Sequence, residues 1–118
     1  MRGSVELDFM ELVGLKKAVK RAHEAGLHVV VASLRVQKPG EDGFGAALEQ
    51  VRADAVLVRH WGALELFRNE KHAGLELHGD FSLNVTNSIT ARHLLRHGLS
   101  TVTASHDLDR DQLMQLAA

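Results

Sequence analysis

Gly26-Leu27-His28-Val29-Val30-Val31-Ala32-Ser33 is the stretch that decides the fold class. A helical segment stops at a glycine, a leucine turns the chain, and a run rich in β-branched residues follows. Glycine supplies the left-handed backbone that closes a helix at low steric cost. The run shows no alternation of apolar and polar residues, as expected of a parallel strand covered on both faces. We therefore expect a strand along His28–Val36 that is buried on both sides.

Working outward, the same order of helix, Gly-Leu and strand recurs at Ala73-Gly74-Leu75 before Glu76–His78, and at His97-Gly98-Leu99 before Thr101–Ala104. Upstream, Leu12, Leu15, Val19 and Ala22 recur at steps of three and four, with Lys16, Lys17, Lys20 and Arg21 off that stripe, which marks an amphipathic helix. Gln37–Gly43 holds the only proline and two glycines and should be a surface loop. Further helices are expected over Phe44–Arg52, Ala63–Glu70 and Ile89–His97, with strands over Ala55–Arg59 and Leu75–Val85, the latter bent at Gly79-Asp80. Asp109 with Gln112 forms the capping-box pattern of a last helix.

With a short strand at Val5–Phe9, the chain holds four to five βα units in 118 residues. A complete barrel of such units takes about eight of them and ~250 residues. The expected fold is α/β with a parallel sheet: half of a TIM-barrel-like fold, or a small open sheet. One domain is expected over residues 5–118, with Met1-Arg2-Gly3-Ser4 read as a vector-derived leader.

Composition narrows the function. Apolar residues make up 45% and charged residues 25%, and the net charge of −1 gives no global field toward nucleic acid or an anionic membrane. No apolar run approaches the ~20 residues that span a bilayer, and no signal-peptide pattern opens the chain, so a cytoplasmic location is expected. There is no cysteine, hence no disulfide, no thiolate-held metal or cluster and no cysteine nucleophile. Among eight histidines, only His93 and His97 have ligand spacing, and we read them as solvated helix residues. No metal and no cofactor is expected.

In a parallel α/β protein ligands bind beyond the carboxyl ends of the strands. Residues at those places include Ser33 and Arg35, then Arg59 and His60, then Asp80, Ser82, Asn84 and Asn87, then Ser105, His106 and Asp107. From these, Arg35, Arg59, His60, Asp80, Ser82, Asn84, Asn87 and His106 form the candidate ligand face. Two arginines with several amide and hydroxyl groups suit an anionic or peptide-like ligand, although Asn, Ser and Asp also favour such turns simply as helix caps. Ser105-His106-Asp107 has the residue types of a hydrolase triad, but consecutive side chains diverge and a triad must converge. No catalytic residue is assigned.

Asp80-Phe81-Ser82-Leu83-Asn84-Val85-Thr86-Asn87-Ser88, followed by Ala91, Gly98-Leu99, Val102-Thr103-Ala104-Ser105 and Leu108–Leu113, resembles the strand–helix–strand segment of the collagenase-like U-thirty-two peptidases. Ala55–Leu64, Leu7–Phe9 and Ser33–Gly40 look like earlier parts of the same family, so the resemblance covers nearly everything after residue 5. It implies a barrel-like α/β fold and hydrolysis of peptide bonds. Other members are similar to hydroxylation factors for RNA bases or quinone that hold iron–sulfur clusters on cysteines. This chain has no cysteine and is expected to be a truncated, inactive segment ending before the cysteine-bearing part. Ser82, Asn84 and Asn87 match the family motif, without a role that the resemblance assigns. The alternatives are a non-catalytic binding or assembly module, or part of an RNA or quinone hydroxylation factor whose cysteine-bearing segment is absent. Self-association as a dimer is expected, with a peptide or protein as substrate and no membrane or nucleic-acid partner.

Overall fold

The computed structural model describes residues 3–10 and 12–118. Met1 and Arg2 of the expected leader lie outside them. The elements alternate as β1 (Ser4–Leu7), α1 (Leu15–Glu24), β2 (His28–Ala32), α2 (Asp42–Gln50), β3 (Ala55–Val58), α3 (Trp61–Phe67), β4 (Glu76–Gly79), α4 (Ser88–Arg96), β5 (Thr101–Val102) and α5 (Arg110–Ala117). Single 3-10 turns at Glu70–His72 and Phe81–Leu83 bracket β4. The sheet has five strands in the order β1-β2-β3-β4-β5, every pair parallel. The α/β fold with a parallel sheet is thus the one the residues imply.

Local chemistry sets the element ends. Gly26 (φ 74°) and Gly98 (φ 111°) close α1 and α4 in the left-handed conformation, as their sequence context requires. Gly74 does not, because only one 3-10 turn precedes it and no α-helix needs closing there. The Asp109–Gln112 capping box forms in both directions at 2.9 Å. The strands are shorter than their apolar runs. β2 stops at Ala32, although the Ser33 amide still donates to the Leu57 carbonyl at 3.0 Å. The Leu75–Val85 strand is replaced by β4, a 3-10 turn and an isolated bridge from Val85 to Ala104.

Sequential strand order with crossovers of one hand puts the connecting helices α1–α4 on the same face of the sheet. Burial follows that geometry. Val29, Val31, Val56, Val58 and Leu77 point to the helix side, are 0–3% exposed, and join Leu15, Val19, Leu48, Leu64, Phe67 and Leu94 in one core. On the opposite side of the same strands, Val30, Leu57 and His78 are only half-buried, and Glu6, Glu76 and Thr101 are exposed. Neither Val30 nor Leu57 belongs to the core cluster. The expectation of strands covered on both faces is therefore corrected: the apolar run of β2 fills one face, while on the other Ala32 and Ala55 are buried but Val30 and Leu57 are only half covered. The shape agrees, since the Cα radius of gyration is 14.9 Å, against about 13.5 Å for a compact domain of this length. The chain is an open five-stranded parallel sheet with its connecting helices on one face, the form that either a partial barrel or a small open sheet takes.

Candidate functional site

Register decides which strand-end residues meet. Asp8, Arg59 and Asp80 follow β1, β3 and β4, and all three fall on the open side of the sheet. Arg59 lies at the middle of this group. Its Nη1 and Nη2 donate to the two carboxylate oxygens of Asp8 at 2.9 and 2.7 Å, a bidentate pair. Its Nε lies 3.5 Å from Asp80 Oδ2 in an ion-pair contact, and among the described residues that buried N–H makes no hydrogen bond. The Arg59 amide donates to Ser33 Oγ at 3.0 Å, and Nη1 reaches the Ser33 carbonyl at 3.5 Å. Ser82 Oγ lies 2.8 Å from Asp80 Oδ2 and 3.1 Å from the Arg59 carbonyl, and its one proton can serve either.

The Arg59 and Asp80 side chains are 9% and 11% exposed, whereas Asp8 is half exposed. Hydrogen bonding from Arg59 holds the Asp8 carboxyl below its ordinary range against the opposing effect of burial. The same contact raises the Arg59 guanidinium further above neutrality. The cluster is an ion-pair knot that ties together the ends of β1, β2, β3 and β4. Its carboxylates are engaged by a permanent cation, and among the described residues no imidazole is hydrogen-bonded within it to serve as a base for Ser82.

A second group stands at the rim. Phe81 stacks on His106 with ring centroids 4.3 Å apart and planes at 22°, and the Arg35 guanidinium lies 5.1 Å from the Phe81 centroid. Three segments, following β2, β4 and β5, thereby meet around one aromatic ring. Arg35, His106, Asn84 and Asn87 are all exposed.

Two expected ligand-face residues act as helix caps. His60 Nδ1 accepts the Ala63 amide at 3.3 Å at the start of α3. Its pKa is lowered by burial, in keeping with a ring nitrogen that must stay unprotonated to accept. Asn87 Oδ1 accepts the Thr90 amide at 2.9 Å at the start of α4. Asn84 occupies the left-handed region (φ 56°) where the 3-10 turn ends. Asn tolerates that conformation better than most residues.

Sequence reasoning missed Asp8 and Phe81. Asp8 fell inside the expected strand Val5–Phe9, which in fact ends at Leu7, and Phe81 directly follows the expected bend at Gly79-Asp80. Ser105 is buried, its Oγ accepting from the Asp107 amide at 3.3 Å. It takes part in a turn with no imidazole partner among the described residues.

The profile of Peptidase family U32 matches residues 4–118. The chain belongs to this family. The match takes in every strand, both the knot around Arg59 and the rim around Phe81, and nearly the whole length of the chain. No curated protein matches the sequence. The iron–sulfur clusters associated with some members do not fit the residues of this U32 chain. It has no thiolate to offer, and among the described residues no group of three or more His, Asp or Glu side chains could hold a metal ion. Among the described residues no helix is long and apolar enough to cross a membrane.

Proposed function

We propose that this chain supplies the peptide-holding wall of a U32-type peptidase, with an extended peptide lying along the rim formed by Arg35, Phe81, Asn84, Asn87 and His106. The observation that carries this reading is the meeting of three strand-end segments around Phe81 above the buried Arg59 knot. The rim is rich in donors, namely a guanidinium, two amide groups and an imidazole, beside an aromatic face. Peptide carbonyls and carboxylates are acceptors, so donors of this kind match them. The knot beneath fixes the strand ends, so the rim is held in place before a peptide arrives.

Bond cleavage asks for more than the knot provides. A nucleophile needs a base within reach, and the developing oxyanion needs donors aimed at it. Ser82 has only Asp80, and Asp80 is paired with Arg59. The isolated chain should therefore bind gelatin-derived peptides but leave them intact. Amide resonances of residues 81–87 and 104–107 should shift saturably on peptide addition, and Arg35→Ala should weaken the response. Gelatin hydrolysis by highly purified chain, abolished in Asp80→Ala or Ser82→Ala, would make the knot itself catalytic. Absence of any peptide response at the rim would remove the proposal altogether.

A further inference from the structure

Away from the rim residues, α1 and the end of α2 border a groove of about 1020 Å³. Its walls carry Lys16, Lys20, Arg52 and Lys71 against two carboxylates, Glu24 and Glu49. The groove thus has two positive charges in excess on a chain whose total is −1. Glu49 is already taken, accepting from His72 at 2.9 Å and Lys71 at 3.4 Å. The side chains of Lys16, Lys20 and Arg52 enter no ion pair or hydrogen bond among the described residues. Val19 and Val51 form an apolar floor.

Arg52 carries the decisive signal. It is the first residue past the α2 cap and has φ 55°, in the left-handed region. The corresponding position after α1 is Gly26 and after α4 is Gly98, both left-handed. Glycine is the low-strain solution there, and a side chain in that conformation is disfavoured. At α2 the chain instead holds an arginine in the strained state, and its side chain lines both this groove and the adjoining cavity of about 470 Å³. Strain retained at a cavity wall points to a use for the side chain.

We propose that the α1–α2 groove binds a small phosphate-bearing ligand held by Lys16, Lys20 and Arg52. A guanidinium and two ammonium groups match the several oxygens and the double charge of a phosphoryl or pyrophosphoryl group. Glu24 at the wall and the net negative charge of the molecule oppose a long polyanion, whose phosphates would extend beyond the groove.

Inorganic pyrophosphate is the probe, titrated into the full chain with sodium chloride at matched ionic strength as reference. Amides around Lys20 and Arg52 should shift saturably with pyrophosphate and not with chloride. Lys20→Met and Arg52→Gly should each lower affinity roughly ten- to a hundredfold, the loss of one charge-assisted contact. Arg52→Gly should also raise the melting temperature by roughly 3–6 °C, because the strain is relieved. Higher stability with lower affinity is a pairing that a purely structural arginine would not give. The proposal is overturned if pyrophosphate does no more than chloride, if Arg52→Gly binds it undiminished or melts lower, or if single-stranded RNA binds while pyrophosphate does not.

Discussion

Asn87 accepts the Thr90 amide at 2.9 Å, satisfying one of the free N–H groups at the start of α4. Asn87→Ala should lower stability by about 0.5–2 kcal/mol, the usual range for a lost cap, as read from urea unfolding. Unchanged stability together with lost peptide binding would move Asn87 from scaffold to recognition. His60 caps α3 through a lone pair, and that adds a pH dependence. Burial lowers its folded pKa, so the unfolded chain takes up the proton first, near pH 6.5. The contribution is complete above that value and declines as pH falls through it toward the lowered folded pKa. His60→Asn keeps a capping acceptor that does not titrate. Between pH 7 and 5.5 the variant should lose less stability than the parent, and parallel losses would refute the cap's role in the pH response.

Gly79 shows how a single missing methyl shapes an element. A Cβ there would sit 2.9 Å from Leu99 Cδ1, 3.2 Å from Leu83 Cδ1 and 3.3 Å from the Thr101 carbonyl. The glycine lets β5 and the Leu83 turn close against the end of β4. Gly79→Ala should cost about 1–3 kcal/mol through overpacking, with the losses in hydrogen-exchange protection concentrated at β5. A neutral effect would mean that the two leucines repack freely. The sequence carried the bend at Gly79-Asp80 because glycine in a strand run is a local signal. It also carried the starts of the strands and the closure of α1 and α4, since apolar runs and Gly-Leu steps are read within a few residues. It carried the strand ends poorly: Leu34 and Val36 look like strand, yet hydrogen bonding stops where the neighbouring strand stops. The Asp8–Arg59 pair was invisible for a related reason. Its partners are 51 residues apart and meet only through the register of three strands. An apolar run likewise does not tell which of its two faces will be covered.

For the whole molecule, the open face of the sheet is the feature with the largest energetic consequence. Val30 and Leu57 remain half-buried there, and among the described residues β1 and β5 each pair with a strand on one side alone. Exposed edges recruit further strands. Two copies about a two-fold axis could set β1 of each beside β5 of the other. Sedimentation at micromolar concentration should therefore show species heavier than the 13.0 kDa of one chain. A clean monomer would mean that side chains and water suffice to cover the open face.

The strand order β1-β2-β3-β4-β5 also matches the order in which a ribosome releases them. No strand has to wait for a later one to be inserted between it and its neighbour. Each unit can dock on the preceding one as it emerges, so growth of the sheet is a vectorial process with short loop closures. Its reversal should follow the same geometry, from the margins inward. Deuterium uptake is expected first at β5, which has two residues and one neighbour, and last at β3, which is flanked on both sides. Uniform uptake across all five strands would instead indicate a single cooperative unit.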